Sequence, residues 1–301
     1  MMVPQIEFKK HNVSISRLVY GIWRLHEDPM GASVERIYEK IQTCLNLGID
    51  TFDHADIYGD FENEERFGKA LEKHPSLKSK IKIITKCGIQ VPGSKFPTKH
   101  YNTSKEHIRY SVERSLRKLK VDVLDVVLIH RPDPLMDPHE MSEVFDAIIK
   151  EGKVKHFGVS NFTTTQFQML QTVYDRPLFT NQVEFSLFCT EPLFDGTFDQ
   201  AIQFGFHPMV WSPTAGGRIF SPKTDTETQT LQKLQVFAKE KGCSADQILY
   251  SWFLNHPARL IPVLGTNDLK RIQSAAECFS YPLTRVEWFT LLEVARGREV
   301  A

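Results

Sequence analysis

Apolar residues fall along this chain in two rhythms. Short runs of Val, Ile and Leu alternate with longer segments in which apolar positions recur every three or four residues. The first rhythm marks strands and the second marks amphipathic helices. Residues 5–15 alternate, with Ile6, Phe8, Val13 and Ile15 set around His11 and Asn12, and predict a β-hairpin. The run at 18–23 predicts the first buried strand. Ser33 then caps a helix carried on Ile37, Ile41, Cys44 and Leu45, and Gly48 stops it. A second strand closes at Asp53, and a helix through Phe67, Ala70 and Leu71 breaks before Pro75. A third strand spans 81–86. Residues 88–103, rich in Gly, Pro and Lys, predict a long loop, and Ser104 opens a helix on Ile108, Val112, Leu116 and Leu119. Further strands are predicted at 123–130, 154–159, 179–185, 207–212 and 260–264. The helices between and after them span 138–150, 165–173, 197–204, 226–240, 245–255, 268–278 and 285–296.

Strands that are apolar along their whole length are buried on both faces, as in parallel sheets. Eight such strands, each followed by helix, predict an α/β fold. The expected form is a single (β/α)8 barrel domain over residues 1–301, with an N-terminal β-hairpin and an extra C-terminal helix. A doubly wound sheet is the alternative. No G-x-G-x-x-G follows the first strand, which counts against it. No repeat beyond the strand–helix alternation and no linker divides the chain.

Composition narrows the function. The chain has 301 residues, and 37 basic side chains balance 37 acidic ones. No long block of one sign occurs, so neither nucleic acid nor an anionic membrane surface is an expected partner. No apolar run reaches the roughly 18 residues of a membrane span, and the first ten residues lack the apolar core of a signal peptide. The five cysteines are scattered, odd in number and without a C-x-x-C pair. They argue against a disulfide framework or zinc cluster and for a reducing, cytoplasmic location.

A barrel of this kind places its active site at the C-terminal ends of its strands. The fold expectation therefore selects residues. Asp53 ends the second strand, Lys86 the third and His130 the fourth, and Tyr58 begins the loop after the second. Val126, Leu128 and His130 share one face, so His130 tops an inward column. A lysine ending a buried strand needs a partner, and Asp53 on the adjacent strand can be that partner. A phenol is a poor acid near neutral pH, with a free pKa of about 10, but a buried cation that stabilises the phenolate makes it a useful one. The alternative is that Asp53 and Asp56 are turn carboxylates and Tyr58 is a rim aromatic. His54, Asp56, His130 and Glu184 also suggest a metal site, which Lys86 would oppose. Cys87, one residue past Lys86, is expected in the core facing the helices. Arg131 suits either an anionic substrate or a structural pair with Asp133 or Asp137.

Several motifs, in order, resemble those of the aldo-keto reductases. They are Gly21-Ile22-Trp23, Asp53 with Tyr58, Thr85-Lys86, Leu128-Ile129-His130, Gly158-Val159-Ser160-Asn161, Asn181-Gln182-Val183-Glu184 and Trp211-Ser212-Pro213. The match runs from about residue 15 to 280, and its details look closest to the YdhF-type bacterial branch. The resemblance implies Asp53, Tyr58, Lys86 and His130 as a catalytic tetrad, with Tyr58 protonating a carbonyl oxygen and His130 orienting it. It implies reduction of an aldehyde or ketone by hydride from NADP(H), with NAD(H) the less favoured cofactor.

The same resemblance assigns cofactor-binding residues. Ser160, Asn161 and Gln182 would bind the nicotinamide carboxamide and Trp211 would stack on its ring. Gly21, Ser212, Thr214, Gly216 and Arg218 would line the mouth and the pyrophosphate. Gly265, Thr266, Asn267 and Arg271 would form the adenosine-phosphate site. Asn267 stands where many members have a basic residue, and Ser274-Ala275 replaces a frequent Glu-Asn pair. Trp23 would wall the substrate pocket, built from loops 24–32, 88–103, 131–138, 186–196 and 213–225. The expected partner is a small-molecule carbonyl, and the expected assembly a monomer or weak homo-oligomer. A related branch of the fold serves as potassium-channel accessory subunits, so a cofactor-binding sensor or subunit is the alternative function.

Overall fold

The computed structural model describes residues 2–93 and 96–300. β1 (Gln5–Phe8) and β2 (Val13–Ser16) form the expected antiparallel hairpin. Asn12 turns the chain at φ 52°, a left-handed position that asparagine tolerates better than most residues. The barrel begins with β3 (Val19–Gly21), α1 (Val34–Asn46) and β4 (Thr51–Asp53). A one-turn segment, α2 (Tyr58–Phe61), precedes α3 (Asn63–Lys73) and β5 (Lys82–Cys87). A small hairpin of β6 (Ile89–Gln90) and β7 (His100–Tyr101) leads to α4 (Lys105–Leu119). Then come β8 (Leu124–Ile129), α5 (Pro138–Lys150), β9 (Val154–Ser160), α6 (Thr164–Val173) and β10 (Asn181–Glu184). The chain continues through α7 (Thr197–Phe204), β11 (Met209–Trp211), α8 (Asp225–Lys241) and α9 (Ala245–Leu254). It ends with β12 (Ile261–Leu264), α10 (Leu269–Ala276) and α11 (Arg285–Arg296).

Eight strands close into a barrel in the order β10-β11-β12-β3-β4-β5-β8-β9, every pair parallel. The doubly wound alternative is thereby excluded. Helix starts follow their caps: Ser33 accepts from the Arg36 amide, and Thr163 and Thr284 form capping boxes with Gln166 and Glu287. The main departures are at element ends and in residues 88–103. The expected long loop carries the β6–β7 pair, and its C-terminal end is tied down by Asp133, which accepts from the backbone and side chain of Thr103. Most strands are a residue or two shorter than their apolar runs, although flanking residues such as Ile22, His130 and Phe179 still donate backbone hydrogen bonds to the neighbouring strand.

Apolar side chains divide into two layers. Val19, Ile84, Val126, Leu128, Phe179, Met209, Ile261 and Val263 fill the barrel interior, and Ile6, Phe8 and Ile15 of the hairpin pack against them. A larger layer lies between the strands and the helices. A Cβ on Gly158 would meet the Leu128 side chain at 2.8 Å and the Thr180 carbonyl at 2.9 Å, so only glycine fits there. The extra helix α11 is fastened to α9 by stacked indoles. Trp252 and Trp288 lie 5.1 Å apart, and each ring N–H donates to the other residue's carbonyl. Among the described residues no helix is long and apolar enough to cross a membrane.

His54 follows β4, is fully buried, and packs edge-on to Phe67. Burial, and then the nearby Lys86 charge, bring its pKa down to about 3. The unfolded chain therefore binds a proton that the folded chain refuses. The stability tied to His54 is complete above about pH 6.5 and is lost as pH falls toward 3. Urea unfolding over a pH series should show wild type losing about 1.4 kcal/mol more per pH unit than His54→Leu below roughly pH 6. Parallel pH dependence in the two proteins would contradict a neutral buried His54.

Candidate active site

Strand alternation builds the site from the inner column upward. Ile84 lies in the barrel interior, so Lys86, two residues on, also points inward and stands near the top. Leu128 sits beside Lys86 in register, and His130 lies one step above it. Asp53 ends β4 and is paired in register with Ile84. The result is a lysine at 1 % exposure beside an aspartate at 3 %.

An ammonium has three N–H donors, and all of Lys86's are used. They reach Asp53 Oδ2 at 2.7 Å, the His54 carbonyl at 2.8 Å and the Tyr58 hydroxyl at 3.3 Å. The other Asp53 oxygen accepts from Gln182 Nε2 at 2.9 Å, across the barrel from β10. Burial opposes the Lys86 charge, but Asp53 and Tyr58 outweigh it and hold the ammonium above the ordinary lysine range. Burial lifts the Tyr58 phenol above its ordinary range, with Lys86 pulling the other way. The pull is in the expected direction and burial exceeds it. Because Tyr58 accepts from Lys86, its own O–H hydrogen is left for another acceptor.

His130 meets Tyr58 edge to face at 5.9 Å. Burial, with Lys86, Arg131 and Lys99 adding positive charge, holds its imidazole well below the usual pKa, so it is neutral. Its carbonyl accepts from Asn161 Nδ2 at 3.1 Å. Asn161, at φ 61°, also donates to Ser160 Oγ and accepts from the Trp211 indole at 2.9 Å. Ser160 Oγ in turn donates to the Gln182 carbonyl at 2.7 Å. The ends of β4, β8, β9, β10 and β11 are thus connected around one mouth.

That mouth opens into a cavity of about 550 Å³. Its lining includes Gly21, Trp23, Asp53, Tyr58 and His130 on one side and Ser160, Asn161, Gln182, Trp211, Ser212, Thr214, Gly216 and Gly265 on the other. Residues 17–296 match the model of the Aldo/keto reductase family. The chain belongs to this family. A 6-dehydroglucose reductase of Agrobacterium fabrum is 42 % identical over 96 % of this chain and 97 % of its own. The oxidoreductase YdhF of Escherichia coli is 41 % identical, covering 99 % of this chain and all of that one. Among solved structures, an aldo/keto reductase from Klebsiella pneumoniae in complex with NADP and acetate shares the fold. It has a TM-score of 0.77 at 21 % identity and covers 93 % of this chain and 91 % of that chain. The expected enzyme class, an NAD(P)H-dependent oxidoreductase, stands with the family.

Of the remaining candidates, Arg218, Thr266, Asn267 and Arg271 lie outside the cavity lining and Arg131 lies within it. Arg218 turns to Glu227 at the start of α8 and lies over the Phe188 ring. The Thr266 carbonyl accepts from the Tyr20 hydroxyl at 3.0 Å. Asn267 is knotted into a partly buried group: it accepts from Lys40 at 2.7 Å, donates to the Arg24 carbonyl, and its own carbonyl accepts from Arg36. Arg271 is on the surface, 76 % exposed, with Asp268 3.9 Å away. Arg131 takes neither structural partner considered for it. It lies over the Trp211 ring at 5.6 Å, while Asp133 binds Thr103 and Asp137 caps α5. Cys87 is buried in the outer layer, and burial pushes its thiol pKa up. Among the described residues no group of three or more His, Cys, Asp and Glu side chains is arranged to hold a metal ion.

The structure adds residues that the strand-end argument does not reach. Ile57, Gly59 and Asp60, after β4, line the cavity, and Lys99 of the long loop leans in. Lys40, at 1 % exposure on α1, pairs with Asp28 at 2.6 Å. Its position among the apolar residues Ile37, Ile41 and Cys44 on the inward face of α1 is the available sequence signal.

Proposed function

We propose that this protein reduces the carbonyl of a small hydroxylated aldehyde to an alcohol, using NADPH and Tyr58 as the general acid. The observation that carries this reading is the Lys86 ammonium, bonded at once to Asp53 and to the Tyr58 hydroxyl on the cavity floor. NADPH, when bound, supplies the hydride. Tyr58 donates its proton to the carbonyl oxygen as negative charge grows there. Lys86 stabilises the phenolate left behind, and Asp53 keeps Lys86 charged. The neutral His130 gives the same oxygen a second hydrogen bond.

The cavity fits such a cofactor. Trp211 offers an aromatic face, and Ser160, Asn161 and Gln182 offer amide-binding groups. Gly216 and Gly217 run at φ 69° and 96°, and a Cβ at Gly217 or Gly265 would meet nothing within 4 Å. That leaves room for a pyrophosphate to approach the backbone. Arg271 is free enough to receive a 2′-phosphate. The lining is polar as well: Arg24, His26, Glu27, Asp60, Lys99 and Arg131 share the cavity with a half-exposed Trp23, and Arg24 lies 5.3 Å from the centre of its ring. A cavity that combines an aromatic face with many hydrogen-bonding groups suits a polyhydroxylated carbonyl compound, and the substrate named for the Agrobacterium relative is of that class. The five free cysteines fit a cytoplasmic setting.

Tyr58→Phe should leave NADPH binding nearly unchanged and cut aldehyde reduction by a factor on the order of 10²–10⁴. Near-wild-type turnover would remove Tyr58 from the mechanism. Cofactor binding without turnover of any carbonyl in the unmodified protein would favour the sensor or accessory-subunit reading instead.

Across a panel of aldehydes of equal chain length, kcat/KM should be about tenfold or more higher for hydroxylated members than for alkyl ones. The reverse preference would exclude the proposed substrate class.

Arg271→Ala should weaken NADPH binding by about 10- to 150-fold, the loss of one charged hydrogen-bonded contact, and leave NADH binding nearly unchanged. Tryptophan fluorescence quenching with each cofactor measures this. Equal losses for both would show that Arg271 does not read the 2′-phosphate.

A further inference from the structure

The segment that carries Tyr58 has an unfavourable backbone. Gly59, Asp60 and Phe61 stand consecutively at φ 58°, 54° and 69°, all in the left-handed region. Two of the three bear side chains, which disfavour that conformation. Such a segment keeps its shape only if its flanks are tied down.

Both flanks are tied to one side chain on α4. Arg114 Nη2 donates to Asp56 Oδ2 at 2.7 Å, two residues before Tyr58. The same guanidinium lies 5.0 Å from the centre of the Phe61 ring, three residues after Tyr58. Tyr110 flanks it at 5.6 Å. One turn further along α4, Lys118 donates to the Phe61 carbonyl. Asp56 is 2 % exposed, and its backbone N–H donates to the Lys86 carbonyl at 3.0 Å. The anchored segment is thus registered against the strand that bears Lys86. Arg114 itself does not line the cavity.

We propose that Arg114 is the positioning residue for Tyr58, holding the left-handed turn so that the phenol stays within reach of Lys86. The contact it protects is long, at 3.3 Å, so a shift of about half an ångström breaks it. This rests on the reading of Tyr58 as general acid. Arg114 touches neither substrate nor cofactor and acts only through the turn.

The test is a double-mutant cycle read by single-turnover reduction at saturating NADPH and aldehyde. Arg114→Met alone leaves Asp56 buried without a counter-charge, so the neutral pair Asp56→Asn with Arg114→Met is measured beside it. Arg114→Lys, which keeps the charge but loses the planar fork, is the milder variant and decides if the others do not fold. Circular dichroism confirms folding in each. The folded variants should lower kcat by about 10- to 100-fold, with cofactor affinity unchanged and KM within about twofold. In the Tyr58→Phe background the same substitutions should cost nothing further. Wild-type kcat in folded variants would overturn the proposal. So would a full additional loss in the Tyr58→Phe background, since Arg114 would then act by another route. Wild-type turnover of Tyr58→Phe alone would instead remove the acid, and the positioning role with it.

Discussion

The rest of the site depends on a charge that cannot be reached by water. Lys86 is an ammonium inside a barrel, and a buried ammonium is tolerated only with a counter-charge and its donors satisfied. Asp53 supplies the charge and the His54 carbonyl a second acceptor, which leaves one N–H. That last donor faces Tyr58. Three acceptors are needed, and the third is the Tyr58 hydroxyl. Breaking such a pair from one side leaves a bare buried charge, typically a loss of about 3–5 kcal/mol.

Tyr58 lies after β4, on a turn and not on a strand. The inner positions beside Lys86 are already filled by Leu128, in register with it, and by His130 one step above. Tyr58 sits on a turn that α4 contacts at the Asp56 carboxylate, the Phe61 ring and the Phe61 carbonyl. The opposite wall is built differently. Ser160, Asn161, Gln182 and Trp211 bond to one another around the rim, and Gln182 alone reaches down to Asp53. One side of the cavity is thus rigid through charge and the other through a chain of neutral hydrogen bonds.

The barrel is legible in the sequence because each strand is a short apolar run and each helix keeps its stripe. The convergence of Asp53, Lys86 and His130 follows from strand ends alone, since parity along a strand says which residues point inward. The small hairpin in residues 88–103 is not legible: two-residue strands leave no period. Arg114 and Lys40 are not legible as parts of a site either. Arg114 lies on α4 with its partner Asp56 in a loop 58 residues away, and Lys40 is buried on α1 with its partner Asp28 in the loop before that helix. Arg131 looks like half of a local ion pair in sequence, yet its neighbours Asp133 and Asp137 are consumed by a loop and a helix cap. Loop geometry decides such pairings, and no periodic pattern records it.

The central claim is that Lys86 sets the acidity of Tyr58 against the effect of burial. Tyrosine labelled with carbon-13 at the phenol carbon allows each ring to be titrated by NMR, and the Tyr58 signal is identified by its absence in Tyr58→Phe. In wild type the Tyr58 phenol should ionise above the ordinary tyrosine range, as burial requires. In Lys86→Met it should ionise higher by about one unit or more, or remain protonated to the highest pH at which the protein stays folded. A Tyr58 that titrates at the same pH, or a lower one, without Lys86 would contradict the account.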